Sequence, residues 1–231
     1  MKTKKTYKIS HMLTDNLGDL SLRNLSSLMF DVAFSQAGEV EKDIDMDRLR
    51  WIVYRRDIDL LDPINLGDEI EITTIPTHMN KFYAYREFFV KRRNTLVAKA
   101  RAQFMLIDIR RLRPIKIPKD LEKAYGREEV TIMGEDISYD KDLAYKGEIY
   151  VRRADLDTNN HVNNGVYFDY IKDLTGLDDK DIAYINITYR NEIRNKKKIY
   201  SYMKKDRKVI DFALEDEDGK IYCQGKINLH V

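Results

Sequence analysis

The chain uses one pattern twice, and this repetition limits what it can fold into. Leu22, Leu25, Leu28, Met29, Val32, Ala33 and Gln36 recur at helical spacing and are followed by Gly38 as a stop. Val166, Tyr167, Tyr170, Ile171 and Leu174 repeat the apolar face, with Gly176 behind them. At a constant offset of 138, Phe30-Asp31 lies over Phe168-Asp169 and Gly38 over Gly176. Downstream, residues 54–58 (Tyr-Arg-Arg-Asp-Ile) lie over 189–193 (Tyr-Arg-Asn-Glu-Ile), with three residues fewer between helix and strand in the second copy.

Each helix is followed by four runs rich in Val, Ile, Tyr and Phe. They cover residues 51–59, 69–75, 82–92 and 96–109 in the first copy, and 182–193, 199–204, 208–214 and 220–230 in the second. Turn residues separate them, such as Asp62-Pro63 and Asp218-Gly219. A short apolar stretch precedes each helix, at 7–13 and 148–152, and supplies a fifth strand. A helix pattern followed by strand patterns predicts an α+β chain, each unit a long helix packed on an antiparallel sheet. The expected domains are 1–109 and 147–231. Between them, residues 110–146 form a linker, with a short helix between Pro118 and Gly126 and a polar, acidic stretch over 128–146.

With 43% hydrophobic and 10% aromatic residues, the chain can bury a substantial core and is not disordered. A net charge of +2, from 41 basic and 39 acidic residues, gives no global field for nucleic acid. The basic start is not followed by an apolar run of signal-peptide length. Nothing approaches the roughly 18 apolar residues of a membrane span, so a cytoplasmic protein is expected. The single Cys223 excludes disulfide frameworks and suits a small core residue. His11, His78 and His230 have no metal-ligand spacing, and neither a metal nor a cofactor is expected.

The chemistry concentrates in residues 155–164, Asp-Leu-Asp-Thr-Asn-Asn-His-Val-Asn-Asn. Asp and Asn compete with backbone pairing, so this stretch is a loop feeding the second helix, with Asn163 or Asn164 as its N-cap. In an extended segment Asp157, Asn159 and His161 point the same way. That sets a carboxylate, an amide and an imidazole at a helix mouth whose free N–H groups suit an oxyanion. The competing reading is an Asx-turn with a capping histidine.

This loop, the helix after it and Tyr189-Arg190-Asn191-Glu192 together resemble the acyl-ACP thioesterase family of plants and bacteria. The resemblance implies two tandem hotdog domains and hydrolysis of fatty acyl-ACP to free fatty acid and holo-ACP. It makes Asp157, Asn159, His161 and Glu192 the catalytic residues, with acyl carrier protein as the partner. Without a transit peptide, a bacterial member in monomeric or homodimeric form is expected. Some members carry Cys after the glutamate, where this chain has Ile193, so the work shifts to carboxylates, His161 and water. At the offsets above, the first copy has Asp19, Ser21, Arg23 and Asp57 at the four positions, so it should shape the acyl pocket while the second copy is catalytic.

Three questions stay open at this level. Either Glu192 or Asp157 is the base, and direct attack by Asp157 is the rival to water. Acyl-CoA hydrolysis and non-catalytic acyl-thioester binding compete with acyl-ACP hydrolysis. Strand parity puts Glu192 with Asn186, Thr188 and Arg190, away from the helix, unless the strand ends or bulges before it; otherwise it pairs with Arg190 on the sheet surface.

Overall fold

A computed structural model describes residues 1–132, 139–140 and 142–230. The first half runs β1 (Thr3–Lys8), α1 (Leu22–Val40), β2 (Leu49–Leu60), β3 (Glu69–Asn80), β4 (Tyr83–Arg92) and β5 (Thr95–Asp108). A two-residue β6 (Arg113–Pro114) and the short α2 (Lys119–Tyr125) follow. The second half runs β7 (Ala144–Tyr150), α3 (Val166–Thr175), β8 (Ile182–Tyr189), β9 (Lys198–Asp206), β10 (Val209–Glu215) and β11 (Ile221–Leu229).

The strands pair antiparallel in the order β1-β3-β4-β5-β2-β8-β11-β10-β9-β7, with β6 on β5. The second five strands repeat the first five in mirror order, and the two sets join where β2 pairs β8. Asp57 faces Asn186 at the centre of that seam. Ile58, Ile70, Ile72, Phe88 and Val90 of one half, and Ile185, Ile187, Ile199, Phe212 and Ile227 of the other, turn inward and bury a single core with both helices.

Several boundaries differ from the sequence expectation. The leading strands are Thr3–Lys8 and Ala144–Tyr150, and the residues after each form a 3-10 turn, His11–Leu13 and Arg153–Asp155. α1 continues through Gly38 to a cap at Glu41. A mid-helix glycine costs only about 1 kcal/mol against alanine, and Ala33, Gln36 and Val40 stay packed around it. The Glu41 carboxylate receives the Trp51 indole N–H at 2.7 Å and the Tyr125 hydroxyl at 2.5 Å, which fixes that end. α3 stops at Gly176, at φ 65°, as expected.

The connection wraps over the sheet. Leu121 and Tyr125 of α2 bury against Ala84 and Leu106. The buried Glu87 carboxylate accepts Thr131 N–H at 2.8 Å, Thr131 Oγ1 at 2.6 Å and Ile132 N–H at 2.8 Å. Tyr139 donates to Asn186 Oδ1 at 2.7 Å on the seam. Part of the acidic stretch, at 133–138 and 141, lies outside the described residues.

Gly225 holds two layers in close approach. A Cβ there would sit 2.1 Å from the Asn186 carbonyl oxygen and 2.3 Å from Phe212 Cζ. Gly225→Ala is expected to destabilise the second half by about 3 kcal/mol or more. Thermal unfolding measures it, and a midpoint within a degree of wild type would contradict this packing.

Candidate active site

The loop before α3 is built by one side chain. Asp157 Oδ1 accepts the N–H of Asn159 at 2.8 Å and of His161 at 3.1 Å, and Asn160 takes φ 59° to close the turn. The Asp157 carboxylate is therefore turned into its own loop, while Asn159 is exposed and His161 largely covered. The trio does not share one face as an extended segment would require, because this segment is a tight turn. The Asx-turn reading describes Asp157.

His161 meets Glu192 instead. Their Nε2 and Oε2 atoms are 3.2 Å apart, with the His161 side chain 15% and the Glu192 side chain 53% exposed. The parity problem is resolved by irregular pairing. β8 ends at Tyr189, and the N–H groups of Arg190 and Asn191 both point to the Tyr222 carbonyl, at 2.8 and 3.3 Å. Two residues against one acceptor rotate the chain by one position, and Glu192 comes round to the helix side. Arg190 donates to the Tyr54 hydroxyl at 2.8 Å, so the surface ion pair with Glu192 does not form.

Sequence reasoning missed Arg194. Its Nε lies 2.6 Å from His161 Nε2, its Nη2 also contacts that nitrogen, and Nη2 is 3.6 Å from Glu192 Oε2. Backbone pairing of His161 with Arg194 sets them side by side. A basic residue two places after a glutamate carries no signal until that pairing is known.

At the helix mouth, Asn163 Oδ1 accepts the Gly165 N–H and the Asn163 carbonyl accepts the Val166 N–H, both at 2.8 Å. The helix begins at Val166 with Gly165 as its N-cap, so neither Asn163 nor Asn164 caps it; Asn163 instead braces the turn just ahead of it. The Tyr189 hydroxyl donates to the Asn164 carbonyl at 3.1 Å. Among the described residues, the Asn164 N–H has no hydrogen-bond partner.

Asp155 anchors the loop from below. It is 1% exposed, accepts the Tyr170 hydroxyl at 2.7 Å and the Arg152 N–H at 2.8 Å, and pairs with the Arg152 guanidinium at 2.9 Å. Burial alone would raise its pKa, but these donors win and hold the carboxyl below its ordinary range. The stability it supplies is present above the unfolded carboxylate pKa, near ~4, and is lost as the pH falls through the lower folded value. Asp155→Asn is expected to cost about 2 kcal/mol at neutral pH, and less in acid. Unfolding followed across pH checks this, and a gap that does not narrow in acid would contradict it.

The first half contains the same loop with different chemistry. Asp15 Oδ1 accepts the N–H of Leu17 at 2.9 Å and of Asp19 at 3.2 Å, and Gly18 takes φ 86° where Asn160 sits in the other copy. Leu20 N–H bonds the Ile64 carbonyl as Val162 N–H bonds that of Ile193. Asp19 pairs with Asn65 as His161 pairs with Arg194. The loops therefore superpose Asp15 on Asp157, an offset of 142, and the segments after β2 and β8 superpose Ile64 on Ile193, an offset of 129. This corrects the counterparts taken from the sequence: His161 corresponds to Asp19, Asn159 to Leu17, Asp157 to Asp15 and Glu192 to Pro63. The first copy still lacks the imidazole and the glutamate. Its helix mouth is also occupied, since Asp179 accepts the Leu22 N–H at 3.1 Å beside Lys172.

An apolar recess lies in the first half, between the C-terminal part of α1 and the sheet. Ala33, Phe34, Trp51, Met79, Phe104 and Tyr125 line it, with about 440 Å³ of space including its open mouth. Tyr85 also borders it, whereas Phe88 is core. Cys223 is fully buried, and burial pushes its thiol pKa up. Among the described residues no group of His, Cys, Asp and Glu could hold a metal ion, and no helix is long and apolar enough to cross a membrane.

Two helix-on-sheet units joined edge to edge in one chain define a tandem hotdog protein. An acyl-ACP thioesterase from Bacteroides thetaiotaomicron superposes with a TM-score of 0.89 at 15% identity, over 99% of this chain and 98% of that one. A 12:0-ACP thioesterase from Umbellularia californica gives 0.80 at 17% identity, over 99% and 97%. No curated protein matches in sequence. The family model for the acyl-ACP thioesterase N-terminal domain matches residues 1–125, and that for the C-terminal domain matches residues 138–230. The chain belongs to the acyl-ACP thioesterase family, thioester hydrolases that act on fatty acyl-ACP.

Proposed function

We propose that hydrolysis takes place at the turn before α3, with the catalytic half at 147–231 and the acyl-binding half at 1–109. The contact between His161 and Glu192, at 3.2 Å across thirty-one positions of sequence, carries this reading. A thiolate leaves with little help, so the reaction needs an activated water and donors for the tetrahedral oxyanion. Glu192 is the base for that water, because the Asp157 carboxylate already serves two loop amides, as Asp15 does in the copy without His or Glu. This favours water over an anhydride on Asp157.

His161 relays the proton that Glu192 takes from the attacking water to the sulfur of the departing thiolate, which leaves as the free thiol. Its Nε2 accepts from Arg194 only when unprotonated and donates to Glu192 only when protonated, so the two contacts mark the two ends of the transfer. The exposed Asn159 orients the water or the substrate, and the Asn164 N–H at the positive end of α3 receives the oxyanion. The acyl chain runs into the apolar recess of the first half. The cytoplasmic setting expected from the sequence belongs to the same proposal.

Thiol release from acyl-ACP and acyl-CoA of graded chain length tests this. Faster release from acyl-ACP at matched chain length is expected. Acyl binding without release would favour the binding-module reading, and preference for acyl-CoA would move the activity to the neighbouring class.

A further inference from the structure

Arg56 is 4% exposed on β2, at the seam between the two halves. Its guanidinium lies 3.9 Å above the Phe30 ring, 5.6 Å from Tyr189 and 5.9 Å from Phe168. Nη1 donates to Ser26 Oγ, whereas Nε has no acceptor among the described residues, and no carboxylate there pairs with the group. Burial holds its pKa below the ordinary arginine range. A buried cation whose N–H is unmet destabilises a fold, so its presence calls for a reason.

The sister copy shows that the architecture does not need it. At the offsets defined by the two loops, Arg56 corresponds to Ile185 and Ser26 to Phe168, both apolar and buried. At these two positions one half carries hydrocarbon, and the other a guanidinium and a hydroxyl.

Its position suggests what it serves. Tyr189, beside Arg56, holds the Asn164 carbonyl in the turn before α3. A Cβ on Gly165 would lie 3.7 Å from Ser27 Oγ, so that turn rests on α1 next to Ser26. On the far side, the Phe30 ring is 5.6 Å from Phe104 and 5.9 Å from Phe34, which line the recess. Arg56 therefore touches both Tyr189, which reaches the turn before α3, and Phe30, which reaches the side chains of the recess.

We infer that Arg56 is a specificity residue that donates its free N–H to an oxygen on the acyl chain, so that preferred substrates carry a hydroxyl or oxo group near the thioester. This rests on the proposed site. Without such an oxygen, binding leaves the guanidinium unmet, and discrimination against the plain chain follows.

The test compares thiol release from saturated, β-hydroxyacyl and β-oxoacyl thioesters of one chain length on ACP, using wild type and Arg56→Met. Wild type is expected to favour an oxygenated chain by about 10-fold or more in kcat/KM. Arg56→Met should flatten or invert that ratio and unfold at an equal or higher temperature. Calorimetric binding of β-hydroxy and unsubstituted fatty acids to wild type reads the same preference without relying on the variant's folding. A wild-type ratio near one, or a ratio unmoved in Arg56→Met, overturns the inference and leaves the thioesterase reading standing. Failure to cleave any of the thioesters overturns the site reading and this inference with it.

Discussion

His161→Ala is expected to lower thiol release from acyl-ACP by about 10²–10⁴-fold, the usual worth of a positioned proton-transfer group. The fold should survive. The ring keeps about a seventh of its surface open, and the loop is held by Asp157, by the Val162 N–H on the Ile193 carbonyl and by the Asn163 N–H on the Asp155 carbonyl. None of these uses the imidazole. Thiol release alongside thermal unfolding separates the two effects, and loss of activity with a collapsed melting temperature would reduce His161 to a structural part of the turn.

Glu192→Gln should fall in the same range, about 10²–10⁴-fold in kcat, since the amide keeps the shape of the carboxylate but cannot take the proton of water. Stability should barely move, because Glu192 is half exposed and its charged neighbours make surface-type pairs. Asp157→Asn is the matched control. An amide oxygen still accepts from the Asn159 and His161 N–H groups, so the loss should stay near ~10-fold, mostly through loop positioning. A larger loss in Asp157→Asn than in Glu192→Gln would reverse the assignment and favour attack by Asp157.

Most of the architecture was legible because each element has a strong period. The apolar stripes at 22–36 and 166–174, the alternating runs and the turn residues between them locate both helices and the four strands after each, whereas the leading strand of each half lies upstream of the stretch that suggests it. The duplication is legible in outline but out of phase, by four residues at the helices and by six at the strand after them. Offsets of 138 and 142 differ by four residues, and a four-residue shift along a helix preserves its buried face, so the pattern cannot choose between them. Only the hydrogen bonds of the paired loops decide.

At the site, the turn chemistry of Asp157 was visible in residue type, whereas the Glu192 contact hung on the bulge at Arg190 and Asn191, where no glycine or proline marks it. Arg194 and Arg56 were hidden for another reason. Each sits in a basic or strand-like context that reads as surface charge, and only tertiary placement puts one beside an imidazole and the other under a phenylalanine ring.

The pairing of His161 with Glu192 is tested most directly by a double-mutant cycle on thiol release from acyl-ACP, with His161→Ala, Glu192→Gln and the two combined. Two groups passing one proton act as a unit, so the double variant should be at most a few-fold slower than the worse single one. Losses that multiply, or a single variant as active as wild type, would contradict the account.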